Sequence, residues 1–176
     1  IKAEEAVQPE PKAGMESEVA FPSGNLTLAG TLTLPASGRR PFPAVLLIHG
    51  SGPVDRDENA PGLKTDIFRQ FAEALAAAGV ASLRFDKRGV GESDGDAAPT
   101  SRADLLDDVR AALDALRAQP EVDGARIVLI GHSEGAYLAP IVAAADPRIA
   151  GVVLLSGAAR SLGEIRDARG AVRQSP

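Results

Sequence analysis

The chain has 176 residues, 44% hydrophobic and 24% charged, a balance that suits one ordinary soluble globular domain with a real core. Its net charge of -5 is mixed along the sequence rather than gathered in blocks, which argues against a nucleic-acid binder. With no cysteine there is no disulfide, no Cys-ligated zinc and no thiol catalysis, and no apolar run approaches the ~18 residues of a membrane span.

The opening Ile1-Lys2-Ala3-Glu4-Glu5 has neither a Met nor an apolar signal core and reads as processed or cut. The compartment stays undetermined, cytoplasmic or exported after signal removal. Residues 1 to 15 are polar and proline-bearing, the texture of a disordered tail or linker. From Glu16 the pattern changes. Val19 and Phe21 alternate with polar neighbours, Ser23-Gly24-Asn25 supplies a turn, and Leu26, Leu28, Leu32 and Leu34 continue the alternation, which predicts an antiparallel strand pair ending at Pro35. Ala44 to Ile48 is a short continuous apolar run, the mark of a strand buried on both faces.

A long polar loop follows. Thr65 is placed to cap a helix carrying Ile67, Phe68, Phe71 and Leu75 on one face, with Gly79 ending it. Val80 to Asp86 reads as a strand. Ser101 to Asp104 resembles a capping box, with Asp where Glu is usual, for a helix burying Leu105, Val109, Leu113 and Leu116. Pro120 lies past its end. Arg126 to Ile130 is the next buried strand, residues 134 to 145 a helix irregular at Pro140, and Ile149 to Leu155 another strand. Such alternation predicts an α/β three-layer sandwich, residues 16 to 160, whose mostly parallel sheet follows an antiparallel N-terminal pair. Residues 161 to 176 read as a polar, poorly ordered tail.

The chemistry gathers in Gly131-His132-Ser133-Glu134-Gly135. A Gly-x-Ser-x-Gly match alone is weak, but here it joins a buried strand directly to a helix, the setting of a nucleophile elbow. Such a turn strains the serine backbone, and Gly131 and Gly135 leave no Cβ where strand and helix approach. Ser133 is therefore the candidate nucleophile. The backbone N–H of Glu134, at the positive end of the helix, is a candidate oxyanion donor. The bland alternative is a turn with a helix-capping serine.

His49-Gly50-Ser51-Gly52-Pro53 follows the first buried strand, where this layout supplies a second oxyanion N–H, with Ser51 first and Gly52 in reserve. His49, at the strand end, suits a backbone-bracing hydrogen bond better than a catalytic role, so His49, Gly50 and His132 are placed as structural. The acidic loop Val54 to Asn59 lacks the glycine and closing Glu of a calcium loop and reads as solvated and salt-bridged. Gly89 to Gly95 fits neither a phosphate nor a dinucleotide cradle, and Asp86-Lys87-Arg88-Gly89 reads as a braced turn in which Asp86 and Arg88 pair or bond nearby backbone. The sequence calls for no cofactor and no metal.

Three motifs in order, His49-Gly50-Ser51-Gly52-Pro53, Arg84-Phe85-Asp86-Lys87-Arg88-Gly89-Val90-Gly91-Glu92-Ser93 and Gly131 to Gly135, resemble the bacterial α/β-hydrolase carboxylesterases related to the serine aminopeptidase-like hydrolases. The resemblance spans about residues 16 to 160 and implies a serine hydrolase acting on small acyl esters through an acyl-serine intermediate. The group also includes thioesterases, lipases and peptidases, so peptidase or thioesterase chemistry stays open. In this pattern the triad acid and histidine come after later strands. The chain has only His49 and His132, and Asp146 and Asp167 have no histidine to orient, so the acid, the base and the last strands of the sheet are expected to be missing. The competing expectation is a degenerate hydrolase that binds or assembles, its exposed sheet edge offering a route to self-association.

Overall fold

The computed structural model describes residues 14–96 and 100–157. Except for Gly14 and Met15, the expected tails at 1 to 15 and 161 to 176 lie outside the described residues. Strand β1 (Met15–Ser23) and strand β2 (Leu26–Leu34) form a hairpin in register from Met15 opposite Leu34 to Ser23 opposite Leu26. The two-residue turn needs a left-handed backbone, which Gly24 supplies at φ 61°. Strand β3 (Phe42–Ile48), strand β4 (Ala81–Phe85), strand β5 (Val122–His132) and strand β6 (Ile149–Leu155) complete a six-stranded sheet of order β1-β2-β4-β3-β5-β6. Strand β2 meets β4 antiparallel, and every contact from β4 through β6 is parallel. The expected α/β architecture is thus present, with β5 beginning four residues earlier than its apolar run because Phe42 of β3 reaches down to pair with Val122.

Helix α1 (Ile67–Ala77) covers one face of the sheet, while helix α2 (Arg102–Arg117) and helix α3 (Gly135–Ala145) cover the other. Strand β3 shows how sequence sorts into layers. Val45 and Leu47 pack with Phe68, Phe71 and Leu75 of α1, whereas Ala44, Leu46 and Ile48 point to Val109, Leu113 and Leu116 of α2 and Leu138 and Val142 of α3. A side-chain period of two leaves both faces of this strand apolar, so the run is continuous. Each fully buried Leu, Ile or Phe contributes roughly 1.5–3 kcal/mol, which makes the larger α2/α3 face the main source of stability.

Helix ends follow local chemistry. Ser101 caps α2 with a complete capping box, its hydroxyl accepting the Asp104 N–H while the Asp104 carboxylate accepts the Ser101 N–H. Gly79, at φ 82°, turns the chain after α1. The cap expected of Thr65 is not formed. Asp66 holds the N-cap position in a left-handed conformation, and Thr65 instead donates its hydroxyl to the Glu58 carbonyl at 3.1 Å. The carboxamide oxygen of Asn59 takes the N–H groups of Thr65 and Asp66, outcompeting a hydroxyl cap. Pro140 lies within α3, and the turn entering that helix is tight, with Ala136 N–H donating to Ser133 O and Tyr137 N–H to Glu134 O.

The topology also locates a crevice. From β3 the chain moves to β4 on one side and then crosses to β5 on the other, so the order of strand addition reverses between β3 and β5. Open α/β sheets form ligand crevices beyond the carboxyl ends of strands at such a point. Ile48 and Gly131 face each other there, which brings the two glycine-rich loops together.

Candidate active site

Ser133 sits between β5 and α3 with φ 50°, a left-handed backbone that is costly for a residue with a Cβ. The strain is held from three directions. The Ser133 N–H donates to Leu155 O of β6 at 2.9 Å. A Cβ on Gly131 would overlap the carbonyl of Gly135, and one on Gly135 would overlap the carbonyl of Ile48. Strand, helix and the neighbouring strand are therefore packed backbone to backbone, and only glycine fits at both positions. Among the described residues, Ser133 Oγ has no hydrogen-bond partner, which leaves it free for a ligand.

Across the crevice, a Cβ on Gly50 would lie 3.4 Å from Ser133 Cβ and 3.2 Å from His132 Nδ1. The backbone N–H groups of Ser51, Gly52 and Glu134 donate to no acceptor among the described residues. Glu134, in helical conformation at φ -58°, precedes α3, so its N–H faces outward at the positive end of that helix. These three unpartnered N–H groups lie on the two loops that flank the serine.

Side chains from distant loops hold the Gly50 segment. Glu58, buried and at φ 64°, accepts the Gly50 N–H at 2.9 Å and places Oε1 2.6 Å from His132 Nδ1. Lys87, also buried, donates to Gly50 O at 2.6 Å and to Glu134 Oε2 at 2.8 Å. The acidic loop is accordingly more than a solvated rim. Asp55 Oδ1 accepts the N–H groups of both Asp57 and Asn59, a knot that turns Glu58 inward. Asp86 accepts the Arg56 N–H and pairs with the Arg56 guanidinium at 2.7 Å. Burial works against its ionisation, yet the bonds from Arg56 and the Glu92 N–H hold its carboxyl below the usual range. Arg88 does not pair with Asp86. It grips Asp108 of α2 with bonds of 2.7 and 2.8 Å, and Asp108 also accepts the Ser23 hydroxyl.

The two histidines have different surroundings. His132 is committed to Glu58 and forms no bond with Ser133 Oγ. His49 is buried with its ring 4.7 Å from that of Phe85, and neither ring nitrogen finds a partner among the described residues. Desolvation, aided by the nearby Lys87 charge, outweighs the backbone groups of His49 and Phe85 that favour its charged form, pushes its pKa down to about 3 and keeps it neutral. Asp146 ends α3 in a turn before β6, bound by Arg117 and Arg148, as its place in the sequence suggests. Asp167 lies outside the described residues. Among those described, no group of three or more His, Asp or Glu could hold a metal, and no helix is long and apolar enough to cross a membrane.

Glu58 and Lys87 are the two contributors that the sequence did not announce. Their partners are backbone atoms of a segment eight and thirty-seven positions away, and no spacing rule encodes such a contact.

Residues 62–173 match the family model described as serine aminopeptidase, S33. Esterase EstD of Thermotoga maritima is 36% identical over 140 residues, 80% of this chain and 32% of that protein. Esterase FrsA of Pectobacterium atrosepticum is 34% identical over 144 residues, 78% of this chain and 31% of that protein. The chain thus spans about a third of the length of these curated relatives. Among solved structures, Est1E of Butyrivibrio proteoclasticus, bound to ferulic acid, superposes with a TM-score of 0.70 at 25% identity, covering 85% of this chain and 56% of that one. A hypothetical protein from Pseudomonas aeruginosa gives 0.69 at 25% identity, covering 95% and 54%.

Proposed function

The chain belongs to the serine aminopeptidase S33 family of α/β-hydrolases, and from that premise we propose that it carries the nucleophile and oxyanion machinery of an enzyme that hydrolyses carboxylic esters. The observation that carries the reading is Ser133 itself, held at φ 50° in a strand-to-helix turn, with the N–H groups of Ser51, Gly52 and Glu134 unpartnered on the two adjoining loops. Ser133 Oγ attacks the ester carbonyl carbon, and the carbonyl oxygen takes the negative charge into the N–H groups of Ser51 and Glu134. Collapse of the tetrahedral intermediate expels the alcohol and leaves an acyl-serine, which water then cleaves to free acid and serine.

The proton from Ser133 needs a base. His49 is neutral and enclosed, and His132 is engaged by Glu58, so neither fits that part. The reading therefore calls for a histidine and its orienting acid from beyond this sequence, in keeping with relatives of whose length the match covers only about a third. Ester rather than amide substrates suit the names of the similar proteins EstD and FrsA, and an amine leaving group would depend still more on a proton donor.

A fluorophosphonate probe tests the assignment. The full-length protein should be labelled and its Ser133→Ala variant should not, whereas equal labelling would remove Ser133 from the mechanism. Turnover of p-nitrophenyl acetate by the 176-residue chain alone should fall far below that of the full-length protein. Equal, serine-dependent turnover would show that these residues activate the serine unaided.

A further inference from the structure

The peptide linking Gly50 to Ser51 is the least constrained part of the proposed oxyanion site by its own chemistry. Gly50 has no side chain, and Gly52, at φ 90°, occupies a conformation few other residues adopt. Such a segment can exchange one peptide orientation for its reverse at little cost. Reversal would replace the Ser51 N–H with the Gly50 carbonyl and present a partial negative charge to the oxyanion.

We propose that Lys87 is the positioning residue that fixes this peptide, setting the Ser51 N–H and Glu134 in one frame; the proposal rests on the oxyanion reading above. A trans peptide is planar, so its C=O and N–H point in opposite directions. Holding Gly50 O against Lys87 Nζ at 2.6 Å therefore aims the Ser51 N–H away from Lys87. The ammonium also polarises the peptide, strengthening its N–H as a donor. The same Nζ binds Glu134 Oε2 at 2.8 Å, on the residue whose backbone N–H forms the other half of the site. One buried cation thus spans both donors. Glu58 completes the grip by taking the Gly50 N–H, so both polar groups of that glycine are occupied.

Lys87 can be reached experimentally. It lines a cavity of about 430 Å³ with Gly52, Pro53, Val90, Leu105 and Glu134, large enough for a small amine to enter once the side chain is shortened. In the full-length protein, Lys87→Met and Lys87→Ala should each slow fluorophosphonate labelling of Ser133 and kcat for p-nitrophenyl acetate by about 30-fold, below the 10²–10³ lost when a donor is deleted outright. KM should stay within about threefold, because the clamp acts on the transition state. Ethylammonium should restore a substantial part of the Lys87→Ala rate, and ethanol should not. A folded Lys87→Met protein that reacts within about threefold of the parent overturns the proposal, as does equal rescue by ethanol. If Lys87→Met does not fold, the amine rescue of Lys87→Ala decides alone, and no rescue overturns it. Persistent labelling of Ser133→Ala would instead overturn the nucleophile assignment, so the two failures are distinct.

Discussion

Two loops meet at the carboxyl ends of β3 and β5, and they are made rigid by opposite means. The elbow around Ser133 is held by backbone against backbone: Gly131 against Gly135, Gly135 against Ile48, and the Ser133 N–H on Leu155 O. The Gly50 loop has almost no such packing and depends on Glu58, Lys87 and the charged residues behind them. Steric closure is insensitive to solvent conditions, whereas a scaffold of ionised side chains responds to pH and to the loss of any one charge. The same crevice therefore has one wall fixed by shape and one fixed by charge.

The sharpest way to break the first wall is to add a methyl group. Gly135→Ala should destabilise the fold by about 3 kcal/mol or more, because the added atom meets backbone that no side-chain motion can clear, and urea denaturation would report it. On the second wall, Glu58→Ala leaves the buried Gly50 N–H without an acceptor and should destabilise by about 2 kcal/mol. Serine labelling should slow as well, and a stability loss without slower labelling would argue that the loop holds its shape unaided.

The pH response separates the walls again. The folded pKa of Asp86 is depressed, so its contribution is fully present above the unfolded value of about 3.9 and is lost as pH falls through the lower folded value. The stability gap between parent and Asp86→Asn, measured by urea titration, should be largest near neutrality and should shrink at about pH 3 and below. A gap that stays constant would mean that Arg56 does not depend on that charge. The smallest effect is expected far from both loops. Ser101→Ala removes the α2 capping box and should cost about 1 kcal/mol in melting experiments, with labelling of the folded protein unchanged.

These contrasts explain what could be seen in the sequence. The elbow was legible because shape is local: a β-branched run, two glycines four residues apart and a helix are contiguous. The sheet was legible for the same reason, since the two-face burial of Val45 to Ile48 needs only a period of two. The charge-held wall was not. Glu58 reads as one of several acids in a polar loop until Asp55 folds that loop back, and Lys87 reads as part of a turn until β4 is placed beside β3. His49 was legible only in part. Its place at a strand end suggested contact with backbone, and the backbone of His49 and Phe85 acts on its ring, but the burial and Phe85 packing that keep it neutral are not written in its spacing.

One bond across the sheet also sets an order of events during synthesis. Ser133 is strained, and the carbonyl receiving its N–H belongs to Leu155, which leaves the ribosome twenty-two residues later and sits on the last strand in the described sheet. Until β6 docks, the serine lacks the partner that keeps it in its left-handed conformation and can relax toward ordinary backbone. The nascent chain therefore carries Ser133 unstrained, and its left-handed backbone is fixed only when β6 closes against β5.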